Sequence, residues 1–163
     1  MSETDRLVAA AADYPVRFVG PYAAAPGRPR TRVAIVACMD ARIDVFSLFG
    51  LEPGDAHVIR NAGGLVTEDA LRSLAISQRA LGTEEVILVH HTRCGMQGLD
   101  DEALARDLEA ATGRRPSWSA GGFADPAEDV RRSKAIIEAD PFIPSKQVRG
   151  FVFDVNSGVL EEI

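Results

Sequence analysis

An apolar run, Val33-Ala34-Ile35-Val36-Ala37, leads directly into Cys38-Met39-Asp40-Ala41-Arg42. A short continuous apolar run of this kind is typical of a strand that is buried on both faces of a sheet. The chain repeats the arrangement at Val86-Ile87-Leu88-Val89, which leads into His90-His91-Thr92-Arg93-Cys94-Gly95. In an open α/β sheet, ligands bind beyond the carboxyl ends of the parallel strands. We therefore expect these two polar stretches to meet at one end of the strands.

Predicted strands and helices alternate along the rest of the chain. Strands are expected at 32–37, 56–59, 85–90 and 148–155, and Asn156-Ser157-Gly158 then turns the chain into a last strand at 159–163. Helices are expected at 2–13, 44–49, 67–81, 100–112 and 125–139, and a proline-rich loop at 15–31. Such alternation predicts an α/β fold: a mostly parallel central β-sheet flanked by helices, with an antiparallel C-terminal edge strand. We interpret residues 1–163 as one domain, in which 1–31 form an N-terminal helical arm and loop.

Local signals mark the ends of the predicted helices. Thr67 is a good N-cap, and the acidic residues after it suit the positive end of the helix dipole. Asp125 and Pro126 are typical N-cap and first-turn residues of the last helix. Gly82 is expected to end the helix that begins at Thr67. The helix at 2–13 fits either an arm that packs on a partner subunit or an ordinary surface helix.

The composition excludes several classes of protein. The chain has 163 residues, of which 46% are hydrophobic and 26% are charged, as is ordinary for a globular domain. Its formal net charge of −6 argues against a broad electrostatic contact with nucleic acid, which requires a basic face. No apolar run approaches the ~20 residues that a membrane span requires. The N-terminal stretch Met1-Ser2-Glu3-Thr4-Asp5-Arg6 lacks the basic start and apolar core of a secretory signal, so we expect a cytoplasmic protein that binds neither nucleic acid nor membrane.

Both cysteines of the chain, Cys38 and Cys94, lie in the two polar stretches. In a cytosolic chain, cysteines so placed are more often metal ligands or redox groups than a structural disulfide. Zinc favours thiolate and imidazole ligands, and His91 is separated from Cys94 by two residues, so one tight loop can present both side chains. Three protein ligands leave a fourth position open, as in catalytic zinc sites. The pattern therefore predicts a Zn²⁺ site.

Each of these groups has a simpler interpretation when it is taken alone. Cys38 is then a small buried apolar residue, and Asp40 with Arg42 is a surface ion pair. His90 and His57 are interpreted as core histidines, each held by a hydrogen bond. The two cysteines could also form a redox pair, but the neighbouring histidine, aspartate and arginine would then have no purpose.

Other motif classes fit the sequence less well. Cys38 and Arg42 lie too close together for a phosphatase loop, which needs a longer cradle between its cysteine and its arginine. The glycine-rich stretch Asn61-Ala62-Gly63-Gly64 matches neither the dinucleotide fingerprint nor the Walker loop. We interpret this stretch as a wall of the substrate pocket, where the backbone can approach a ligand closely.

The two polar stretches are similar to the two signatures of a known enzyme family. Cys38-x-Asp40-x-Arg42 and His91-x-x-Cys94 match the signatures of the β-class carbonic anhydrases, and Val58-Ile59-Arg60-Asn61-Ala62-Gly63 supports the match. The resemblance extends from about residue 30 to the C-terminus. The short length, with the segments Trp118-Ser119-Ala120-Gly121 and Arg149-Gly150-Phe151-Val152-Phe153-Asp154, resembles a small actinobacterial (mycobacterial-type) subgroup. Arg93 departs from that subgroup, in which an acidic or small residue is expected, and would alter the charge at the rim of the site.

The resemblance implies which residues act. Cys38, His91 and Cys94 would bind Zn²⁺, and Asp40 with Arg42 would form the catalytic dyad. Asp40 would become a fourth ligand only in a closed form, in which some members of the family rest. The family assembles as dimers or multiples of dimers, so we expect a homodimer or a dimer of dimers.

The function that this resemblance implies is the zinc-dependent, reversible hydration of carbon dioxide to bicarbonate and a proton, a lyase reaction. Two alternatives remain open. The same zinc site could hydrolyse carbonyl sulfide or carbon disulfide, as in relatives of the subgroup. The chain could instead be a zinc-binding regulatory protein whose site is held closed, with bound zinc and no turnover.

Overall fold

The central feature of the computed structural model is one five-stranded sheet. The structure describes residues 2–12, 14 and 27–163. The strands are β1 (Val33–Cys38), β2 (Ala56–Asn61), β3 (Glu85–His91), β4 (Gln147–Phe153) and β5 (Leu160–Glu162). Their order across the sheet is β2-β1-β3-β4-β5, in which β5 pairs antiparallel with β4 and the other neighbouring pairs are parallel. The predicted α/β fold with an antiparallel C-terminal edge strand is confirmed.

A helix lies at each predicted position. The helices are α1 (Glu3–Ala12), α2 (Val45–Phe49), α3 (Glu68–Arg79), α4 (Asp101–Thr112) and α5 (Pro126–Ala139). The predicted N-caps are confirmed: the Thr67 side chain accepts a hydrogen bond from Ala70 N at 3.3 Å, and Asp125 accepts one from Glu128 N at 2.9 Å. None of the described helices is long and apolar enough to cross a membrane. Residue 13 of the predicted first helix and residues 15–26 of the predicted loop lie outside the described residues.

Helix α3 ends earlier than predicted. The sequence predicts an end at Gly82, but the helix ends at Arg79, and Gly82 lies in the following turn with φ 76°. The chain turns early because Thr83 folds back onto the helix. Its N–H donates to Ser77 O at 3.1 Å, and the hydroxyl oxygens of Ser77 and Thr83 lie 2.7 Å apart. Both side chains are buried, so this hydrogen bond satisfies two polar groups that would be costly to bury alone.

Both faces of the sheet are buried, as the apolar runs predict. On one face, Val36 of β1 belongs to an apolar cluster with Leu74 of α3 and Ile137 of α5. On the other face, the neighbouring Ile35 belongs to a cluster with Val45 of α2. Each face receives alternate residues because successive side chains of a strand point to opposite sides. The polar residues that follow β1 and β3 are therefore held at the end of a closely packed layer.

Helix α1 has no buried side chain, a feature that it shares with α4. Its Leu7 and Val8 are 59% and 66% exposed. Both interpretations of this segment, an arm for a partner subunit and a surface helix, therefore stay open.

Candidate metal centre

Cys38, His91 and Cys94 come together at the carboxyl end of two neighbouring parallel strands. Cys38 is the last residue of β1, and His91 is the last residue of β3. The loop after β3 returns Cys94 toward both, and its Sγ lies 3.8 Å from Cys38 Sγ. The ligand atoms of the three side chains all lie within 4.8 Å of one another, and all three residues are buried. The structure thus brings together the three residues that the sequence singles out as metal ligands.

Asp40 and Arg42 lie beside this cluster and hold each other. Arg42 donates from Nε to Asp40 Oδ1 at 2.8 Å and from Nη2 to Asp40 Oδ2 at 2.7 Å. The peptide N–H of Arg42 donates to the same Oδ1 at 3.0 Å. Asp40 Oδ2 lies 3.7 Å from His91 Nε2, so the carboxylate faces the cluster. The guanidinium beside Asp40 holds the pKa of that carboxyl well below its usual range, and the group stays ionised at neutral pH.

The three clustered side chains differ in their tendency to ionise. Burial raises the pKa of the Cys38 thiol, but the His91 imidazole and the backbone N–H groups of Asp40 and Gly63 together outweigh burial and lower it to about 7. Burial lowers the pKa of His91, but the Cys38 sulfur, the Asp40 carboxylate and the Thr92 carbonyl together outweigh burial and raise it. Burial raises the pKa of the Cys94 thiol, and the nearby Cys38 sulfur adds to the effect. Because a thiolate rather than a thiol binds metal, the His91 imidazole beside Cys38 favours the ionised form that a cation would bind.

The hydrogen bonding of the His91 ring shows whether the cluster suits a metal ion. Its Nδ1 lies 2.9 Å from the carbonyl oxygen of Thr92, an arrangement in which Nδ1–H donates and Nε2 carries the lone pair. Nε2 is buried and has no hydrogen-bond partner among the residues that the structure describes. Metal-binding histidines are commonly oriented in this way, by a carbonyl on the other ring nitrogen. Two sulfurs and an imidazole nitrogen are donors that zinc prefers, so the residues present fit zinc.

Gly64 allows the backbone to close around the end of β1. It ends the short turn Ala62–Gly64 that follows β2, and its φ of 71° lies in the left-handed region. A Cβ at this position would overlap the peptide nitrogen of Cys38 and the carbonyl carbon of Ala37. Only glycine combines this φ with so close an approach of two backbone segments. The turn therefore supports the first residue of the cluster.

Comparison with known proteins identifies the family of the chain. The carbonic anhydrase family model matches residues 33–118, a range that includes the three clustered residues and the Asp40–Arg42 pair. Beta-carbonic anhydrase 1 of Mycobacterium tuberculosis is 51% identical to the chain, over 100% of the chain and 99% of that protein. The chain belongs to the β-class carbonic anhydrase family. The resemblance seen in the sequence is thereby confirmed.

Two further relatives show the range of the family. The crystal structure of carbonic anhydrase from Streptococcus mutans superposes with a TM-score of 0.90 at 37% identity, over 100% of this chain and 98% of that chain. A carbon disulfide hydrolase from Acidithiobacillus thiooxidans is 34% identical, over 79% of this chain and 75% of that protein. The relatives of this β-carbonic anhydrase family member thus include proteins named for two different substrates.

His90 and His57 are both hydrogen-bonded, as predicted. His90 Nε2 lies 2.7 Å from Asp129 Oδ2 of α5, and both side chains are buried. His57 Nδ1 lies 2.7 Å from Ser77 Oγ, but His57 is only half-buried, because β2 is an edge strand of the sheet. The prediction of a hydrogen-bonded core histidine is confirmed for His90 and only in part for His57. Nothing in the sequence marks Asp129 as the partner of His90, since the two meet only when α5 packs on β3.

The turn that is predicted to wall the substrate pocket lies next to an apolar cavity of about 500 Å³. The cavity is lined in part by Asn61, Ala62, Leu65, Met96 and Trp118. Asn61 Nδ2 donates to Leu65 O at 2.8 Å, while Asn61 Oδ1 is buried without a partner among the described residues. Gly63 is buried, and a Cβ there would contact Leu65. The role of Asn61, Ala62 and Gly63 in substrate binding stays a prediction.

Arg60 supports the end of β1, a role that the sequence does not reveal. β2 continues to Asn61, beyond its predicted end at residue 59, because Met39 N donates to Asn61 O at 2.8 Å. The Arg60 guanidinium donates to Cys38 O from Nε at 3.0 Å and from Nη2 at 2.8 Å, and Nη2 also donates to Asp40 O at 2.7 Å. The one sequence feature that could have indicated this role is a charged residue at the end of an apolar strand. Its target depends on the parallel register of β1 and β2, which the sequence does not specify.

Proposed function

We propose that this chain is a zinc-dependent carbonic anhydrase, which catalyses the reversible hydration of carbon dioxide to bicarbonate and a proton. The observation that carries the proposal is an ionised Asp40, held by Arg42, whose Oδ2 lies 3.7 Å from His91 Nε2 in the cluster of possible ligands. A structural zinc site is closed by four protein ligands, whereas three ligands beside a fixed carboxylate leave room for a reacting water. Membership of the β-carbonic anhydrase family agrees with this assignment.

Cys38, His91 and Cys94 would hold the zinc ion, which their donor atoms suit. Zinc bound there would supply the positive charge that acidifies water and makes hydroxide available near neutral pH. Two thiolates bring negative charge into the site and weaken this effect in comparison with neutral imidazoles. The residues that orient the attacking oxygen therefore matter more than they would in a site of three histidines.

Asp40 would orient the attacking water. Its Oδ2 would accept a hydrogen bond from that water, so that a lone pair of the water oxygen points at the substrate carbon. Because the pKa of Asp40 lies well below its usual range, the carboxylate acts as a hydrogen-bond acceptor throughout the neutral range. Arg42 binds both carboxylate oxygens and so restricts rotation of the Asp40 side chain.

The turn at Asn61, Ala62 and Gly63 would form a wall of the substrate pocket, beside the apolar cavity of about 500 Å³. Carbon dioxide is small and uncharged, so its pocket needs apolar surface and few polar contacts. Bicarbonate carries a charge that an apolar wall does not stabilise, which favours release of the product.

A second candidate function is the hydrolysis of carbonyl sulfide or carbon disulfide at the same site. The observation in its favour is the 34% identity to a carbon disulfide hydrolase. Both substrates are linear and uncharged, as carbon dioxide is, and the same oriented water would attack their carbon. Assays of the three substrates on one preparation discriminate between the two functions.

A third candidate is a zinc-binding protein in which Asp40 closes the site as a fourth ligand. The two hydrogen bonds from Arg42 to Asp40 favour the open arrangement instead, because both carboxylate oxygens are already engaged. Bound zinc without turnover at any pH would support the closed protein.

We also propose that the chain assembles as a homodimer or a dimer of dimers in the cytoplasm. The exposed Leu7 and Val8 of α1 support an arm that packs on a second copy. Sedimentation of the full chain, with and without residues 2–12, tests the assembly. A monomer of the full chain would contradict it.

The proposed function is tested by stopped-flow hydration of carbon dioxide, across pH, on protein whose zinc content has been measured. We expect fast turnover that falls as the pH drops and that disappears when zinc is removed by a chelator. No turnover with zinc fully bound would contradict carbonic anhydrase activity, and the two sulfur-containing substrates would then be assayed.

A further inference from the structure

Arg93 links the Asp40–Arg42 pair to the C-terminal hairpin. Its carbonyl oxygen accepts a hydrogen bond from Arg42 Nη2 at 3.0 Å, and its own Nη1 donates to Asn156 Oδ1 at 3.0 Å. Asn156 lies in the turn between β4 and β5. One residue therefore contacts Arg42 through its backbone and the hairpin through its side chain.

The backbone of Arg93 has a conformation that side chains rarely adopt. Its φ is 57°, in the left-handed region that favours glycine. A residue with a Cβ persists there only when surrounding contacts hold it. The preceding residue is held by β4, since Thr92 N donates to Phe153 O at 2.9 Å and Val155 N donates to Thr92 Oγ1 at 3.2 Å. The Arg93 side chain adds the contact to Asn156.

The turn that carries Asn156 is itself well held. Asp154 Oδ1 accepts hydrogen bonds from Asn156 N and Ser157 N, both at 2.8 Å. Gly158 N donates to Asp154 O at 2.8 Å and closes the turn. Asn156 thus offers Arg93 a partner in a hydrogen-bonded turn between two strands of the sheet.

We propose that Arg93 is a positioning residue for the Asp40–Arg42 pair. The hydrogen bond to Asn156 holds Arg93 in its left-handed conformation, and this conformation directs the Arg93 carbonyl oxygen to Arg42. Arg42 Nη2 donates both to Arg93 O and to Asp40 Oδ2, so the position of Arg93 O affects the carboxylate oxygen that faces the cluster. The inference rests on the proposed function and extends the active-site support to the β4–β5 turn.

The competing explanation is the charge of Arg93, an exposed cation between His91 and Cys94. A cation at the rim would attract bicarbonate whether or not its side chain is tied to Asn156. Asn156→Ala separates the two explanations, because it removes the acceptor of the hydrogen bond and keeps the cation. Arg93→Ala removes both.

The experiment compares Arg93→Ala, Asn156→Ala and the double variant in steady-state hydration of carbon dioxide by zinc-loaded protein. We expect each single variant to lose kcat about 10-fold with an unchanged KM, within the ~10²-fold that a misplaced group costs. The double variant should lose no more than either single variant, because both remove one contact. Asn156→Asp keeps an acceptor oxygen and should restore most of kcat relative to Asn156→Ala.

Ser157→Ala is the matched control in the same turn. It removes a hydroxyl that accepts from Val159 N at 3.3 Å and leaves the contact between Arg93 and Asn156 intact. We expect its kcat to equal that of the wild type. A loss as large as that of Asn156→Ala would assign the effect to the turn as a whole and overturn the proposal.

A second readout uses the zinc-free proteins and does not depend on activity. Asp40 Oδ1 accepts from Arg42 Nε at 2.8 Å, which should protect this N–H from exchange with water in ¹⁵N–¹H NMR spectra. The signal is assigned with Arg42→Lys. We expect exchange to be severalfold faster in Arg93→Ala and in Asn156→Ala than in the wild type, and unchanged in Ser157→Ala.

Unchanged kcat and unchanged exchange in Asn156→Ala would overturn the proposal. A loss of kcat in Arg93→Ala alone would assign the effect to charge and would overturn it as well. A wild type that does not hydrate carbon dioxide would refute the proposed function instead, and the exchange rates would still decide whether Arg93 and Asn156 hold Arg42.

Discussion

Arg42 holds both oxygens of the Asp40 carboxylate, through hydrogen bonds of 2.8 Å from Nε and 2.7 Å from Nη2. Charge-assisted pairs with two parallel hydrogen bonds fix an orientation as well as a charge. The Arg42 side chain is 47% exposed, so water screens much of the attraction and the pair contributes little to the stability of the fold. In the proposed function the pair matters because it directs Asp40 Oδ2 toward His91.

Asp40→Asn removes the charge of the acceptor and nearly preserves its shape. We expect the variant to keep its zinc and to lose turnover by about 10²-fold or more, since positioned acid–base groups contribute ~10²–10⁴-fold. Zinc content and stopped-flow hydration of carbon dioxide measure the two effects. Asp44→Asn is the control, because Asp44 caps α2 by accepting from Ser47 N at 3.2 Å and asparagine caps a helix equally well. Wild-type turnover in Asp40→Asn would refute the role of the dyad.

Cys94→Ser replaces a thiolate donor by a hydroxyl, which zinc binds poorly. We expect the variant to lose both zinc and turnover, and its Tm to match that of the wild type treated with a chelator. Binding of a ligand to the folded state alone raises Tm, so zinc should raise the Tm of the wild type and leave that of the variant unchanged. Full zinc occupancy in Cys94→Ser would remove this residue from the proposed metal site.

Arg60→Ala removes both hydrogen bonds that Arg60 donates to the Cys38 carbonyl oxygen, whereas Asp40 O keeps a hydrogen bond from Ile43 N at 3.1 Å. We expect the free energy of unfolding of the zinc-free protein to fall by about 1–3 kcal/mol, the usual effect of an unsatisfied polar group. Zinc affinity should fall as well, because the end of β1 is released. Arg79→Ala is the control: Arg79 Nε donates to Phe142 O at 2.6 Å, far from the cluster in the fold, and its loss should leave zinc affinity unchanged. Equal zinc affinity in both variants would contradict a supporting role for Arg60.

Gly64→Ala introduces a Cβ that overlaps backbone atoms of Ala37 and Cys38. Gly113→Ala is the matched control, since Gly113 has φ 73° and open space around its α-carbon. In Gly113→Ala the free energy of unfolding should fall by about 1–2 kcal/mol, the cost of a side chain on a left-handed backbone. In Gly64→Ala it should fall by about 1–3 kcal/mol more, because the new Cβ also overlaps backbone atoms. Urea unfolding of the zinc-free proteins measures both. Equal losses would show that the turn can move away from β1 at no cost.

The hydrogen bonds to Asp101 should make the free energy of unfolding depend on pH. Its carboxylate accepts hydrogen bonds from the Ser119 hydroxyl, from Gly122 N at 2.8 Å and from Gly121 N at 2.9 Å, and these contacts lower the pKa of Asp101. The folded state therefore binds the proton less tightly than the unfolded state, whose aspartate pKa is about 3.9. The contribution of ionised Asp101 to the free energy of unfolding is therefore fully present above the pKa of the unfolded state. It is lost as the pH falls through the lower pKa of the folded state.

Urea unfolding of the zinc-free wild type and of Asp101→Asn, from neutral pH into the acid range, isolates this contribution. All other acidic groups are common to both proteins. We expect the wild type to be more stable at neutral pH and the difference to shrink as the pH falls. A difference that stays constant over the whole range would contradict the assignment to Asp101.

Local patterns were sufficient to predict the fold and the residue types of the candidate site. Apolar runs predict the buried strands, and side chains such as Thr67 predict helix starts, because burial and capping depend on residues within one element. The convergence of Cys38 with His91 follows from a general property of parallel strands, whose carboxyl ends lie at the same end of the sheet. The sequence predicts the position of helix α3 but not its end, since Thr83 folds back onto Ser77.

The contacts that support the site could not be predicted in this way. Arg60 contacts Cys38, His90 contacts Asp129, and Arg42 contacts Arg93, pairs that are separated by 22, 39 and 51 positions in the chain. No local pattern specifies such pairs, because they depend on strand register, on the packing of a helix against the sheet and on the left-handed turn at Arg93. The sequence thus determines the residue types of the candidate metal centre, whereas the packing of the sheet decides the orientation of the carboxylate beside it.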